Sequence, residues 1–342
     1  SQRRGGKGLS SMATKEDDVV TTLFVANTHT WLLFFTTGGM VYKMKTWRLP
    51  MAGRTAKGKA MVNILPIETG VSIAALMPVD VPEEEWDSLQ IVFATSDGDV
   101  RQNDLSDFTN VMRNGKIAMK LPEGVFLVNA AIADENDDIM LVTHLGRAIR
   151  FSTSEIRVFK SRGSTGVRGV RLGKDDRVVS MSIIRHFEAE AEERAAYLKQ
   201  RRLMAGVTED EADDEEETVA VGQLCPERYA EMAAAEDLIL TITAGGSGKL
   251  SSSHDYPVRG RGGMGVKAIS PGPRGGRIVA SFPVDLSDQI MLATSTGQSI
   301  RVPVDQISFR SRSAGGVKVF SLASEEEVVS VARVAEQGDE EA

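Results

Sequence analysis

The sequence predicts an all-β fold: a propeller-like ring of six blades, the first incomplete, with a helical acidic insertion between two blades. Three observations predict it. A Thr-x-x-Gly turn recurs five times, each time after an apolar run. An apolar strand recurs six times, and a loop of cations and glycines recurs six times between turn and strand. Units of about 40–50 residues carrying about four strands cannot bury both faces alone, so they stack around an axis.

The turns are TTGG ending at Gly39, TSDG at Gly98, THLG at Gly146, TAGG at Gly246 and TSTG at Gly297. The runs before them are WLLFF from Trp31, LQIVFA from Leu89, DIMLV from Asp138, DLILTI from Asp237 and DQIMLA from Asp288. Two β-rich runs around a glycine-bearing turn read as a hairpin. A cation follows each turn: Lys43, Arg101, Arg150, Lys249 and Arg301. The glycine intervals are 59, 48, 100 and 51 residues, and the long one contains the insertion.

The closing strands begin at Val19, Val71, Phe126, Val178, Ile278 and Val328. Six closing strands against five hairpins imply that the chain opens inside its first repeat, whose hairpin is absent. The insertion, 188–237, is of another kind. Glu188–Leu203 and Pro226–Glu236 read as helices, the second with Pro at its first position. Thr208–Glu217, TEDEADDEEE, is too charged to fold. A mobile helical excursion is expected there, and an acidic tail over 336–342.

The repeated loops carry the functional argument. They are QRRGGKG (Gln2, Arg3, Arg4, Gly5, Gly6, Lys7, Gly8), then GRTAKGK with Arg54, Lys57 and Lys59, then RNGK with Arg113 and Lys116. The fourth is KSRGSTGVRGVR with Lys160, Arg162, Arg168 and Arg171. The last two are RGRGGMGVK, with Arg259, Arg261 and Lys267, and RSRSAGGVK, with Arg310, Arg312 and Lys318. One such loop is an ordinary solvated turn. Six at matching positions imply a curved basic rim, where Arg and Lys neutralise phosphates and glycine lets the backbone approach them. The loops hold few aromatics, which argues against base stacking and so against single strands. Duplex DNA held by its backbone and bent is the expected partner.

The whole-chain charge of -8 hides this rim. Residues 188–237 carry 16 acids and 5 bases, a net of -11; residues 324–342 carry 7 acids and one base, a net of -6. Taking both from -8 leaves +9 on the remaining chain. A single cysteine, Cys225, excludes an internal disulfide and fits a reducing compartment. No run reaches the roughly 18 apolar residues of a membrane span, and the first residues lack a signal core, so a cytoplasmic protein is expected.

Other motifs carry little. GGSGKLS, Gly245–Ser251, resembles a phosphate-binding loop, but Thr243 stands at its first glycine position and Leu250 follows the lysine. It reads as a hairpin turn. His29, His144, His186 and His254 lie far apart, with no metal-ligand spacing. Tyr197, near Arg194, reads as a plain helix residue, and no Ser-His-Asp set or paired carboxylates stand out. No catalytic, cofactor or metal site is expected.

The chain is identified as resembling the C-terminal domain family of the DNA gyrase A subunit. QRRGGKG matches the seven-residue box that marks that family, and FVANTHT, VYKMKTWRLP, GKAMVNILPIE and GVRGVRL also resemble it. The resemblance implies a β-pinwheel of six blades that wraps duplex DNA in a positive, right-handed sense and presents a segment for strand passage. It makes Gln2–Gly8 the box. It implies two protein partners in an A2B2 enzyme: the rest of the gyrase A subunit, together with the gyrase B subunit. It places the cleaving tyrosine, the metal and ATP outside this chain. The alternatives are a propeller scaffold for an acidic protein and the related domain of topoisomerase IV, which lacks an intact box. A propeller enzyme is the weakest reading.

Overall fold

A computed structural model describes residues 26–51, 59–207, 222–270, 277–319 and 321–334. The second repeat holds β1 (Trp31–Thr36), β2 (Met40–Lys45) and β3 (Ile73–Val79), and the third holds β4 (Gln90–Thr95), β5 (Asp99–Asp104), β6 (Lys116–Ile117) and β7 (Leu127–Ala133). The fourth holds β8 (Asp137–Thr143), β9 (Arg147–Ser152), β10 (Val167–Arg168) and β11 (Val178–Arg185). The fifth holds β12 (Leu238–Thr243), β13 (Ser247–Ser252), β14 (Val266–Lys267) and β15 (Ile278–Val284), and the sixth β16 (Gln289–Thr294), β17 (Ser299–Pro303), β18 (Val317–Lys318) and β19 (Val328–Val334).

Each Thr-x-x-Gly motif closes a hairpin for two reasons. The threonine Oγ1 accepts the backbone N–H four residues on, as Thr36 does from Met40 and Thr95 from Asp99. The glycine adopts a positive φ, 93° at Gly98, where side chains are strained. The closing strand pairs with the first hairpin strand, giving the antiparallel orders β3-β1-β2, β7-β4-β5, β11-β8-β9, β15-β12-β13 and β19-β16-β17.

The fourth strand of a sheet comes from the next repeat. The short strand β6 pairs with β2 (Val41↔Lys116), β10 with β5, β14 with β9, and β18 with β13. The basic loops therefore cross to the preceding blade and form its outer edge. The loop glycines serve this crossing. A Cβ at Gly166 would lie 2.1 Å from the Val100 carbonyl oxygen, and one at Gly265 2.3 Å from that of Ala148. These glycines bring the loop against the neighbouring strand; reading them as openings towards phosphate is corrected to that extent. Among the described residues β17 has no such outer partner, and it is more exposed than β13, its counterpart in the fifth repeat.

The core lies between blades. Phe35 of β1 meets Phe93 of β4 edge-on at 5.4 Å, and both meet Phe108, at 5.7 and 5.8 Å. Later junctions use Val92, Ile139, Leu141 and Phe151, then Met140, Ile184, Ile239 and Tyr256, then Leu240, Ile290 and Leu292. The closing strands are tied side by side: Asn129 Nδ2 donates to the Met181 carbonyl and Ser180 Oγ to that of Ser281. They form the inner edges, so the loop strands lie on the opposite, outer edges.

The insertion differs from expectation. Its two helices, α1 (Ala191–Met204) and α2 (Pro226–Ala234), are docked, not free. Tyr197 and Met232 are fully buried, Tyr197 stacks on Tyr229 at 4.9 Å, and His254 Nε2 meets the Met232 carbonyl at 2.7 Å. Arg228–Glu193 (2.9 Å) and Arg201–Glu236 (3.1 Å) pin the hairpin. Burial of these rings outweighs the helices' charged surface. The strand from Val19, all but its last residue, lies outside the described residues, as do all of Thr208–Glu217 and the tail.

Candidate nucleic-acid interface

In four blades the second hairpin strand runs next to a loop strand of the next repeat, and its cation bonds to carbonyls nearby. Lys43 Nζ donates to the Thr109 carbonyl at 2.7 Å, is paired with Glu83 at 2.8 Å, and sits 4.1 Å above the Trp31 ring. Arg101, fully buried, donates to the carbonyls of Arg162 (2.8 Å), Ser164 (2.6 Å) and Ala118. Lys249, also fully buried, donates to the carbonyls of Ser311 (3.0 Å), Ala314 (2.6 Å) and Arg312. Arg150 pairs with the buried Asp138 at 2.8 Å and donates to Ser253 O at 2.7 Å and Arg185 O at 2.9 Å. Burial pulls Arg101 down to about 10, so it stays charged at neutral pH. Arg101 and Lys249 hold basic loops, whereas Lys43 and Arg150 bond to segments outside them; none of the four faces solvent. Arg301 of β17 is exposed.

The loop cations divide into two groups. Lys59, Arg113, Arg171, Arg259 and Lys318 are exposed. Lys160 is exposed too, with one 3.3 Å pair to Asp104, and Arg168 is exposed while paired with Asp99 at 3.2 Å. Their heads line the outer edge, where long side chains on an apolar sheet can meet a polyanion. The second group is committed to the protein. Lys116 Nζ donates to the Asp107 carbonyl at 2.7 Å, and burial lowers its pKa. Arg162 donates to Ile117 O at 2.9 Å and Arg261 to Arg168 O at 3.1 Å. Arg312, 4% exposed, donates to Lys267 O and is held by Asp255. Of these residues, expected at the DNA face, Arg312 is buried, Lys116 and Arg162 are half-buried, and Arg261 is exposed with two of its donors on carbonyls. Arg310 and Lys267 are half-buried.

Gln2, Arg3, Arg4, Gly5, Gly6, Lys7, Gly8, Arg54 and Lys57 lie outside the described residues. Sequence reasoning missed Lys45, Arg48 and Trp47. These line a groove with Lys59 and Arg113 between the second and third repeats, and Arg48 lies 5.2 Å from the exposed Trp47 ring. The signal was present in KTWR, directly after a hairpin strand.

Among the described residues no group of His, Cys, Asp and Glu could hold a metal ion, and no helix is long and apolar enough to cross a membrane. Tyr197 hydrogen-bonds Glu236 at 2.8 Å, and burial raises its pKa, as for a packed helix residue. GGSGKLS spans a hairpin turn and most of β13.

The family model described as DNA gyrase C-terminal domain, beta-propeller, matches residues 1–27, 30–80, 90–134, 137–185, 237–285 and 288–335. These six segments leave out most of the insertion. The DNA gyrase A subunit of Granulibacter bethesdensis is 49% identical over 348 residues, covering 98% of this chain and 37% of that protein. The DNA gyrase A subunit of Escherichia coli is 34% identical, covering 99% of this chain and 33% of its own length. The chain thus spans about a third of those relatives. The solved C-terminal domain of DNA topoisomerase IV aligns with a TM-score of 0.68 at 21% identity, covering 91% of this chain and 80% of that one. The solved C-terminal domain of DNA gyrase A aligns at 0.63 and 17%, covering 95% and 92%. At these identities the two structures speak for the fold.

Proposed function

The chain belongs to the DNA gyrase C-terminal domain family, a β-propeller, and from that premise we propose that it wraps duplex DNA around the outer edges of its blades. The wrap is right-handed, and it presents a DNA segment for strand passage when the chain is part of a gyrase A2B2 enzyme. In that enzyme ATP hydrolysis, the metal and DNA cleavage belong to other parts, and this chain is not itself catalytic. It works in the bacterial cytoplasm, on DNA.

The observation that carries this reading is the repeated outer edge. In two blades the basic loop is fastened by a fully buried cation, Arg101 or Lys249, while Lys160, Arg171, Arg259 and Lys318 of the loops stay exposed. Bending a duplex of 20–30 bp costs roughly 1–6 kcal/mol, so a track that bends DNA must be stiff as well as positive. The buried latches meet the first demand and the exposed cations the second. A scaffold for an acidic protein needs only the second.

Titrating duplexes of increasing length separates the two. Affinity is expected to rise with length up to the length of the track and then level off. Affinity independent of length from the shortest duplexes upward would favour the acidic-protein scaffold.

The acidic segments are expected to compete with DNA for this edge. In the docked helices Glu193, Glu231 and Glu236 are already matched by arginines. The densest acidic runs in the sequence are Glu209–Glu217 and the tail from Glu336. Deleting either segment is expected to tighten DNA binding severalfold at low salt and little at high salt, where screening is strong. Unchanged affinity in both deletions would make these segments simple solubilising appendages.

A further inference from the structure

We propose that Arg162, Arg261 and Arg312 rivet each basic loop to the loop before it, and thereby set the spacing of the DNA track without holding DNA themselves. The proposal rests on the wrapping reading for its effect on DNA, but not for the rivets. All three occupy one repeat position, four residues before the glycine that opens the loop strand (Gly166, Gly265, Gly316). Each donates from a terminal guanidinium nitrogen to a carbonyl of the preceding loop: Arg162 to Ile117 (2.9 Å), Arg261 to Arg168 (3.1 Å) and Arg312 to Lys267. The acceptors also share one position, two residues after Gly115, Gly166 and Gly265.

Two rivets have a second fastening in the short 3-10 turn of the preceding blade. The Arg261 backbone N–H donates to Glu155 Oε2 at 2.9 Å and its Nε to Glu155 O at 3.2 Å. The Arg312 N–H donates to Asp255 Oδ2 at 2.7 Å and its Nε to Asp255 O at 2.8 Å. The planar guanidinium supplies these several donors in fixed directions, which an ammonium does not. The junction that lacks the arginine is informative. Val111 occupies its position in the third repeat and Arg48 the position of the acid. That junction holds the groove lined by Trp47, Arg48, Val111 and Arg113.

The consequence is mechanical. A bent duplex pushes back on the loops that hold it, and a loop free to slide would let the DNA straighten between blades. Loops joined in series move together, so the bend imposed at one blade is passed to the next. The arginines are positioning residues: they act on DNA through the exposed cations of the loops they fix.

The test uses the 342-residue chain with Arg162, Arg261 and Arg312 all replaced by Ala. Three lost phosphate contacts would lower the salt slope by about 2.7, at about 0.9 each. The proposal expects a slope within one unit of the parent, together with a linking-number change per bound chain cut at least by half at saturation. Arg→Lys at the three sites, which keeps the charge but gathers the donors on one nitrogen in place of the planar fork, is expected to recover only part of that change. A slope lower by about 2.7, or a parental linking-number change in the Ala variant, overturns the proposal. A DNA-free measurement separates its failure from that of the wrapping reading. With Cys225→Ser and spin labels at Thr165→Cys and Met264→Cys, Arg261→Ala alone should broaden the distance distribution between the two loops. Arg261 is exposed, so this single variant is expected to fold even if the triple variant fails to. An unchanged distribution refutes the rivet whether or not the parent wraps DNA, whereas a parent that binds circles with no linking-number change refutes wrapping alone.

Discussion

Replacing Arg3, Arg4 and Lys7 with Ala is expected to nearly abolish topological change in relaxed circles while short duplexes still bind. The three cations lie within five residues, interleaved with glycines, the densest charge of any of the six loops. None can be core, so the fold should survive. Arg4 stands four residues before Gly8, the repeat position that Arg162, Arg261 and Arg312 hold in their loops. By that position Arg4 is expected to act as a rivet and Arg3 and Lys7 to meet phosphate. The salt slope is expected to fall by about 2, from Arg3 and Lys7 at about 0.9 each. Wrapping should fall much further, since a duplex bent at a cost of roughly 1–6 kcal/mol springs straight once one end of its path is released. In a whole gyrase carrying the variant, supercoiling is expected to fail and relaxation to persist. A variant that wraps circles like its parent would reduce the box to one basic loop among six.

Lys249→Ala is expected to be the most destabilising single change among the hairpin cations, by about 3–5 kcal/mol in denaturant unfolding with an unchanged m value. The ammonium is fully buried and donates to three carbonyls of the following loop. Removing it leaves those oxygens buried without that donor, and hydrogen bonds to a charged group contribute about 1.5–3 kcal/mol each. Arg171→Ala, at an exposed position, should change stability by less than about 0.5 kcal/mol. Equal effects of the two substitutions would mean that the cation after each turn is not a latch.

These two outcomes mark what could be read in the sequence. Hairpins, closing strands and repeat boundaries were legible because the Thr-x-x-Gly turn is local chemistry: Thr36, Thr95 and Gly98 act within five residues. The cation after each turn was visible as a pattern, but its purpose was not. Lys249 and Ser311 are 62 residues apart, and no periodicity reveals that a loop crosses to the preceding blade. For the same reason Arg312 read as a rim cation while lying buried against Asp255. Gly166 read as an opening towards phosphate and proved to be a close approach to Val100. The insertion helices were placed by propensity and the proline of α2. Their docking rests on Tyr197, Tyr229 and His254, whose meeting is purely tertiary. Lys160, Arg171, Arg259 and Lys318 are exposed as their residue type and loop position suggest, but the same signals did not separate them from Arg312.

The proposed activity of this chain is to wrap duplex DNA around a stiff, basic outer edge with right-handed sense. The most direct measurement binds the 342-residue chain to singly nicked circular DNA at low salt, seals the nick, removes the protein and reads the linking number. A positive shift is expected that grows with bound chain up to saturation and disappears at high salt. Binding at saturation with no shift, or with a negative one, would contradict the account.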